Sequence, residues 1–262
     1  MWPSNFTKNI RCLNLPFGPL QIIYYLRANF ELMALFRLSE KCVKPMAFSA
    51  TGLFIALVAI FFLPLALPYE LAYPVVALFV ASLWLTPWEV SLALLFSAMG
   101  DVAGCAGEIL WQMGLFAVAH LWYILFFVRR YFAKVDKRDG KVSRRTVVHL
   151  SIFSLCVLAV MAVAFALVVP AMPAGVVRIA GGAYAVVICG MFLMALLQRS
   201  SLYALGAALF VISDLVLAWN LFVEPVENAG AMIMVTYYLA QWLIFVRATP
   251  YEVPHPVRLL RF

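Results

Sequence analysis

Long apolar runs separated by short polar segments constrain this chain more than any other feature of its sequence. Most of the runs approach the roughly 20 residues that an α-helix needs to cross the hydrocarbon core of a bilayer. In hydrocarbon every backbone polar group needs a partner within the protein, and a helix supplies these partners within one segment. The sequence therefore predicts an all-α, polytopic membrane bundle of eight transmembrane helices. The predicted spans are residues 47–67, 72–87, 89–106, 111–131, 147–170, 175–197, 201–223 and 230–248.

The composition excludes a soluble globular domain. Hydrophobic residues make up 66% of the chain and charged residues only 12%, whereas soluble domains carry about 25% charged residues. The net charge of +7 does not indicate nucleic-acid binding, because the basic residues lie between apolar runs and not in a soluble domain with aromatic side chains among them. We therefore expect the bilayer, and no nucleic acid, as a partner.

The distribution of positive charge predicts the orientation of the bundle. All of the 19 lysines and arginines except Arg178 lie before the first span, at the end of the fourth or between it and the fifth, between the sixth and seventh, or at the end of the eighth or after it. With eight spans these four segments share one side of the membrane, and the positive-inside rule makes that side cytoplasmic. Both termini are thus predicted to be cytoplasmic, in the inner membrane of a cell. The opposite side carries Glu70, Glu108, Glu224 and Glu227.

The chain divides into three predicted parts. Residues 1–46 form a cytoplasmic or interfacial segment, residues 47–248 the transmembrane domain, and residues 249–262 a cytoplasmic tail. Within the first part, the apolar stretch 16–41 is interrupted by Arg27, Glu31 and Arg37. A helix of this pattern lies in the membrane interface more readily than it crosses the bilayer.

The cysteines and histidines predict no metal site. The five cysteines are scattered and form no C-x-x-C pair, so neither a disulfide framework nor a thiolate site is indicated. His120 is the only histidine inside a predicted span, because His149 and His255 flank spans. A three-histidine zinc site is therefore improbable, and we expect neither metal nor organic cofactor.

Two aspartates interrupt otherwise apolar spans. Asp101 lies near the outer end of the third span and Asp214 nearer the middle of the seventh. A carboxylate in hydrocarbon is energetically costly and usually marks a functional site. Because both spans run outward in the predicted topology, the two carboxyls are offset in depth, and the helices must tilt or shift for them to meet.

Other polar residues share helix faces in the same spans. His120 and Tyr123 are three positions apart, and Tyr237 and Gln241 are four apart, so each pair lies on one face. Ser213 and Asn220 are separated by two helical turns in the seventh span. Since each group needs a partner or water, we expect them to converge on one cavity.

Simpler readings of these polar residues remain open. Intramembrane serines such as Ser213 often bond to their own helix, and Tyr123 and Tyr237 fit interfacial anchors. His120 fits a hydrogen-bonded core histidine. Asn220 and Gln241 fit interhelical contacts.

Several separated motifs occur in a fixed order. They are G-D in LALLFSAMGDVAG (92–104), H-x-x-Y in GLFAVAHLWYILFF (114–127), and, within 206–244, S-D, a downstream asparagine and T-Y-Y-x-x-Q. In these motifs the chain resembles the YhhN/lysoplasmalogenase family of integral membrane proteins. The resemblance implies about eight transmembrane helices and hydrolysis of the vinyl ether bond of lysoplasmalogens. The products would be a fatty aldehyde and glycerophosphoethanolamine or glycerophosphocholine.

Two carboxyls suit this chemistry, which needs a proton donor for the alkenyl carbon, a base for water and stabilisation of an oxocarbenium ion. The hypothesis is that Asp214 and Asp101 form the acid/base pair, with the assignment of acid and base left open. The substrate-binding residues would be His120, Tyr123, Ser213, Asn220, Tyr237 and Gln241. The substrate would be a lysophospholipid that reaches the site from the bilayer.

Two other classes of function are compatible with the sequence. One is a proton-coupled transporter of a small solute or lipid in which the intramembrane aspartates relay protons. It would be expected to show broken helices or inverted repeats, and no convincing repeat is present. The other is a structural or regulatory membrane protein whose polar residues serve only helix association. The oligomeric state and the headgroup preference stay open.

Overall fold

The computed structural model describes residues 40–65, 67–136 and 144–249. Most of the predicted N-terminal segment and nearly all of the predicted C-terminal tail lie outside these residues. The helices are α1 Glu40–Phe61, α2 Tyr73–Leu85, α3 Trp88–Cys105, α4 Ile109–Asp136, α5 Arg144–Val163, α6 Val176–Leu196, α7 Ser201–Phe222 and α8 Ala229–Ala248. The predicted all-α fold with eight helices is confirmed for the described part of the chain.

Seven of the eight helices are long and apolar enough to cross a membrane by length and composition. The remaining helix, α2, is shorter. Together with the 3₁₀ turn at Glu70–Ala72 that precedes it, it forms a short apolar segment. The sequence already indicates this shortness, because Pro74 and Pro87 bound the helix and proline limits helix length. The chain is a multi-pass membrane protein. The predicted cytoplasmic location of both termini stays a prediction.

The first helix departs most from its predicted span. It begins at Glu40 and ends at Phe61, whereas the apolar pattern predicts 47–67. Pro64 and Pro68 follow closely, and proline lacks the N–H group that would continue the helix. At the other end Pro45 is the sixth residue of the helix, where its missing N–H group removes one intrahelical hydrogen bond. The boundaries of α3, α6, α7 and α8 agree with the predicted spans within one residue.

Most sequential helices pack on one another, and contacts between helices that are not sequential place the site. Helix α3 packs on α4, α7 on α8, and α6 on both α4 and α7. Helix α8 also contacts α1, α2 and α3. Large apolar side chains such as Trp111, Leu155 and Ile179 point outward and are 69%, 70% and 73% exposed. Such an apolar exterior is what a bilayer-embedded bundle requires.

A continuation of α5 lies close to the candidate site. The helix passes into a π-helical segment at Ala164–Val168 and a last α-turn at Val169–Ala171. The π-helical segment contacts α6 and α7. Such segments occur frequently at functional sites, and this one forms part of a cleft wall.

Small residues allow close approach at two of the helix contacts. A Cβ atom on Gly206 of α7 would lie 2.9 Å from Cγ1 of Ile244 and 3.2 Å from the carbonyl oxygen of Ala240. A Cβ atom on Gly100 of α3 would lie 2.9 Å from the ring of Phe116 on α4. Gly100 therefore lets α3 and the Phe116 ring of α4 approach closely.

Candidate active site

An apolar cleft opens between α4, the end of α5, α6 and α7. Its empty volume is about 840 Å³. The lining comes from the first turns of α4, the π-helical segment, the first half of α6 and the second half of α7. These are the helix ends that lie away from the lysine- and arginine-rich segments. Because the lining is almost entirely aliphatic and aromatic, the cleft suits a hydrocarbon chain better than a polar solute.

Asp214 is the one carboxylate in the cleft lining formed by the described residues. It projects from α7, and its Oδ2 atom accepts a hydrogen bond from the hydroxyl of Tyr184 on α6. Nε2 of His120 on α4 lies 3.6 Å from the same oxygen and 3.0 Å from the Tyr184 hydroxyl. Three helices thus hold one carboxyl in place. The Asp214 side chain is 20% exposed, whereas His120 is 1% exposed, so the carboxyl and not the imidazole faces the cleft.

Asp101 belongs to a second hydrogen-bond network. Its Oδ2 atom accepts a bond of 2.9 Å from the Tyr237 hydroxyl on α8. Nε2 of Gln241 donates to that hydroxyl over 3.3 Å, and the Tyr123 hydroxyl on α4 donates to Oε1 of Gln241 over 2.7 Å. All donors in this chain point toward Asp101, which is buried in the protein interior. Tyr123, Tyr237 and Gln241, which the sequence places in the substrate site, therefore do meet. They surround Asp101 and not the Asp214 carboxyl at the cleft.

The two networks are adjacent and separate. The ring of Phe210 on α7 lies 5.1 Å from the His120 ring and 5.8 Å from the Tyr237 ring, so it stands between them. Among the described residues no hydrogen bond or ion pair joins Asp101 to Asp214. The polar residues thus form two clusters where one common cavity was expected. The acid/base pairing of the two aspartates stays a prediction.

Ser213 and Asn220 serve helix contacts in this structure. The Ser213 hydroxyl donates to the carbonyl oxygen of Ile233 on α8 over 3.1 Å. Oδ1 of Asn220 accepts a bond of 2.9 Å from the backbone N–H of Val226 in the turn between α7 and α8. The Asn220 bond is close to the simpler reading of a contact between helices, whereas Ser213 bonds to α8 and not to its own helix. Their predicted contact with substrate stays a prediction.

Sequence reasoning missed Tyr184. It lies in GGAYAVVICG on α6, in a span for which no polar residue was singled out. A tyrosine in the middle of an apolar span needs a partner for its hydroxyl, and that signal could have indicated it. Gln112 on α4, which lines the cleft and faces Gly104, was also missed.

Two buried polar atoms near the networks have no hydrogen-bond partner among the described residues. They are Nδ1 of His120 and Oγ of Ser97. No group of three or more histidine, cysteine, aspartate or glutamate side chains able to hold a metal occurs in the part of the chain that the structure describes. Metal independence stays a prediction.

The fold and the site define a polytopic helical membrane protein with a partly buried carboxylate on the wall of an apolar cleft. The chain belongs to the YhhN family, whose model matches residues 58–248. It is 45% identical over 69 residues to human lysoplasmalogenase TMEM86B and 30% identical over 162 residues to the mouse protein of that name. It is also 47% identical over 49 residues to human lysoplasmalogenase TMEM86A. No solved structure matches the chain.

These alignments are partial. The human TMEM86B match covers 25% of this chain and 30% of the relative, and the TMEM86A match covers 19% and 20%. The mouse match covers 62% of this chain and 63% of the relative. Each therefore spans less than two thirds of the relative's own length.

Proposed function

We propose that this protein hydrolyses the vinyl ether bond of lysoplasmalogens inside the cleft. The products are a fatty aldehyde and glycerophosphoethanolamine or glycerophosphocholine. Family membership and the names of the similar proteins support this activity. The structural observation that supports this activity for the present chain is the position of Asp214, a carboxyl on the wall of an apolar cleft between helices.

The cleft suits a substrate with one hydrocarbon chain. Its walls are apolar over most of their area, as is usual for sites that take apolar small molecules. A lysolipid could place its chain among residues such as Val160, Ile188 and Leu217 while its ether oxygen lies near Asp214. The headgroup would then lie toward the helix ends that bound the cleft.

Asp214 would act first as an acid and then as a base. In its neutral form the carboxyl gives its proton to the alkenyl carbon farther from the ether oxygen, which leaves an oxocarbenium ion beside the new carboxylate. Water adds to the carbon bonded to oxygen and loses a proton to that carboxylate. In the resulting hemiacetal the carbon–oxygen bond to glycerol then breaks as the hydroxyl gives up its proton and the glycerol oxygen takes one from the carboxyl, which releases the aldehyde and a glycerol hydroxyl. Proton transfer by a positioned carboxyl contributes about 10²- to 10⁴-fold to rate.

Tyr184 and His120 would orient the Asp214 carboxyl. The tyrosine hydroxyl donates to one carboxyl oxygen, which leaves the other oxygen available to the substrate. His120 lies within 3.6 Å of the bonded oxygen and would stabilise the carboxylate after proton transfer. Such fixed polar groups in a water-poor site stabilise developing charge more strongly than water does.

Asp101 would be the second carboxyl of the predicted pair. In the described arrangement it would act through its neighbours, because its bond to Tyr237 places it behind the ring of Phe210. Direct contact with the substrate would require that ring to move. Tyr123, Tyr237 and Gln241 would then support the back of the site, and Ser213 and Asn220 would hold α7 against α8.

The experiment uses the purified protein in nanodiscs with lysolipids that carry alkenyl, alkyl or acyl chains on the same headgroup. Mass spectrometry should detect a fatty aldehyde from the alkenyl lipid alone. In D₂O the reaction should slow, and the aldehyde should carry one solvent deuterium next to its carbonyl carbon. Activity should survive treatment with a metal chelator. Release of a fatty acid from the acyl lipid without any aldehyde would overturn the proposal, and solute flux without product would favour the transporter.

A further inference from the structure

Arg178 continues the cleft-lining face of α6 beyond the cleft. Gly181, Tyr184, Ala185 and Ile188 all line the cleft, and Arg178 lies three residues before Gly181. Residues spaced by three and four positions share a helix face. The arginine therefore belongs to this face, one turn closer to the helix N-terminus, where it is exposed at the mouth of the cleft.

The guanidinium is held at this mouth by the end of α5. Nε and Nη2 both donate to the carbonyl oxygen of Met172, over 3.0 Å and 2.6 Å, and Nη2 also donates to that of Pro170 over 3.0 Å. Met172 itself lines the cleft. These bonds satisfy carbonyl groups at a helix C-terminus, and they fix the guanidinium in place. None of the described residues accepts a bond from Nη1.

Arg178 also differs in charge from its surroundings. Among the described residues it is the only lysine or arginine at this end of the bundle. Neither the His120–Asp214 pair nor the Arg129–Glu89 pair at the opposite end of the bundle includes it. The guanidinium is held by its Nε and Nη2 donors, and the remaining nitrogen, Nη1, can donate charge-assisted hydrogen bonds to a phosphate oxygen.

We propose that Arg178 binds the phosphate of the lysophospholipid substrate at the mouth of the cleft. This inference rests on the proposed function, because it names the group that selects phosphate-bearing lipids for that site. The apolar cleft would take the hydrocarbon chain, and Asp214 would meet the ether linkage between the two.

The spacing along α6 fits this arrangement. Arg178 precedes Tyr184, the partner of Asp214, by two α-helical turns or less, which is a rise of about 9 Å. In a lysoplasmalogen six covalent bonds separate the ether-linked alkenyl carbon from phosphorus. Each bond is about 1.5 Å long. Because an extended chain zigzags, six such bonds span roughly 7 to 8 Å from end to end. One substrate molecule can therefore reach both residues.

The test measures binding with probes that cannot react. One probe is a 1-O-alkyl-glycero-3-phosphocholine and the other is the 1-O-alkyl-glycerol of the same chain length, both below their critical micelle concentrations. The wild-type protein in nanodiscs should bind the phosphate-bearing probe about tenfold more tightly, as expected for a charge-assisted bond. Arg178→Gln should abolish that preference, and Arg178→Lys should keep part of it. Arg199→Gln removes the same charge beyond the opposite end of α6 and should keep all of it.

Three outcomes would overturn the assignment. They are a wild-type protein that binds both probes equally, an Arg178→Gln variant that keeps the preference, and a variant that loses affinity for both probes to the same extent. The glutamine retains an N–H donor for the Met172 carbonyl, and thermal unfolding in the nanodisc checks that the fold is kept. The two proposals can fail separately. If tighter binding of the phosphate-bearing probe depends on Arg178 while the wild-type protein releases no aldehyde from an alkenyl lipid, the phosphate site is supported and the proposed hydrolysis is wrong.

Discussion

The hydroxyl of Tyr184 on α6 donates a hydrogen bond to Oδ2 of Asp214 on α7, at the wall of the apolar cleft. This bond ties two neighbouring transmembrane helices together through the one carboxylate that reaches the cleft from the described residues. A carboxyl in hydrocarbon is costly unless it has a partner, and here the partner also sets its direction. One carboxyl oxygen is engaged by the protein, and the other is left for a ligand.

Asp214→Asn should remove nearly all turnover. The amide keeps the shape of the side chain and its acceptor for Tyr184, but it cannot donate a proton to carbon. We expect a loss of at least about 100-fold in kcat, measured as aldehyde released from an alkenyl lysolipid in nanodiscs.

Asp101→Asn is the matched variant, because its amide oxygen can still accept the bond from Tyr237. If Asp101 acts only through its network with Tyr237, this variant should lower kcat by about tenfold or less. Equal losses from both variants would instead support the acid/base pair predicted from the sequence. Full activity of Asp214→Asn would remove that residue from the mechanism.

Two tyrosine-to-phenylalanine variants should separate catalysis from stability. Tyr184→Phe removes the donor that orients Asp214, so we expect a lower kcat with little change in KM. Tyr123→Phe leaves Oε1 of the buried Gln241 without its donor at 2.7 Å, at a cost of about 1–3 kcal/mol in the free energy of unfolding. Steady-state kinetics and thermal unfolding would measure both. A drop in Tm without loss of turnover for Tyr184→Phe would contradict the orienting role.

The fold could be predicted from the sequence because one physical requirement dominates it. A helix that crosses hydrocarbon must be apolar over its length, so hydropathy alone placed α3, α6, α7 and α8 within a residue of their observed ends. The first span departs most from its observed helix. Pro45, Pro64 and Pro68 lie at or near its ends. The apolar pattern continues to residue 67, whereas the helix ends at Phe61, because proline cannot donate the backbone hydrogen bond that would continue it.

The arrangement of the site could be predicted only in part. Helix periodicity correctly grouped Tyr237 with Gln241, because residues four apart share a face in any helix. Periodicity within one helix carries no information on which helices touch. It therefore could not show that Phe210 separates the Asp101 network from Asp214, or that Tyr184 from the sixth span completes the Asp214 cluster.

Gly206→Ala should destabilise the contact between α7 and α8. The added methyl group would lie 2.9 Å from Cγ1 of Ile244 and 3.2 Å from a backbone carbonyl oxygen, so the helices would have to separate. Overpacking of this kind costs about 1–3 kcal/mol. Gly114→Ala on α4 is the control, since no atom lies within 4 Å of its added carbon. Equal Tm values for the two variants would contradict this account of the helix contact.

The orientation of the bundle can be tested with two cysteine variants in a background without native cysteines. Arg199 follows α6 at the basic end, and Glu227 lies in the turn between α7 and α8 at the other end. If both termini are cytoplasmic, an impermeant thiol reagent added to intact cells should label Glu227→Cys and not Arg199→Cys. Membrane disruption should expose both sites. The reverse pattern would place the termini and the basic loops outside.

Ala218→Trp should obstruct the cleft without weakening the fold. Ala218 lines the cleft one helical turn beyond Asp214, on the side of the mouth, so an indole there would occupy the path of the substrate. We expect kcat/KM for a long-chain alkenyl lysolipid to fall by at least about tenfold, with Tm unchanged. Leu205→Trp is the control. It places a tryptophan on the outer face of α7, where the native side chain is 51% exposed, and it should leave kcat/KM unchanged. Unimpaired turnover by Ala218→Trp would show that the substrate reaches Asp214 by another route.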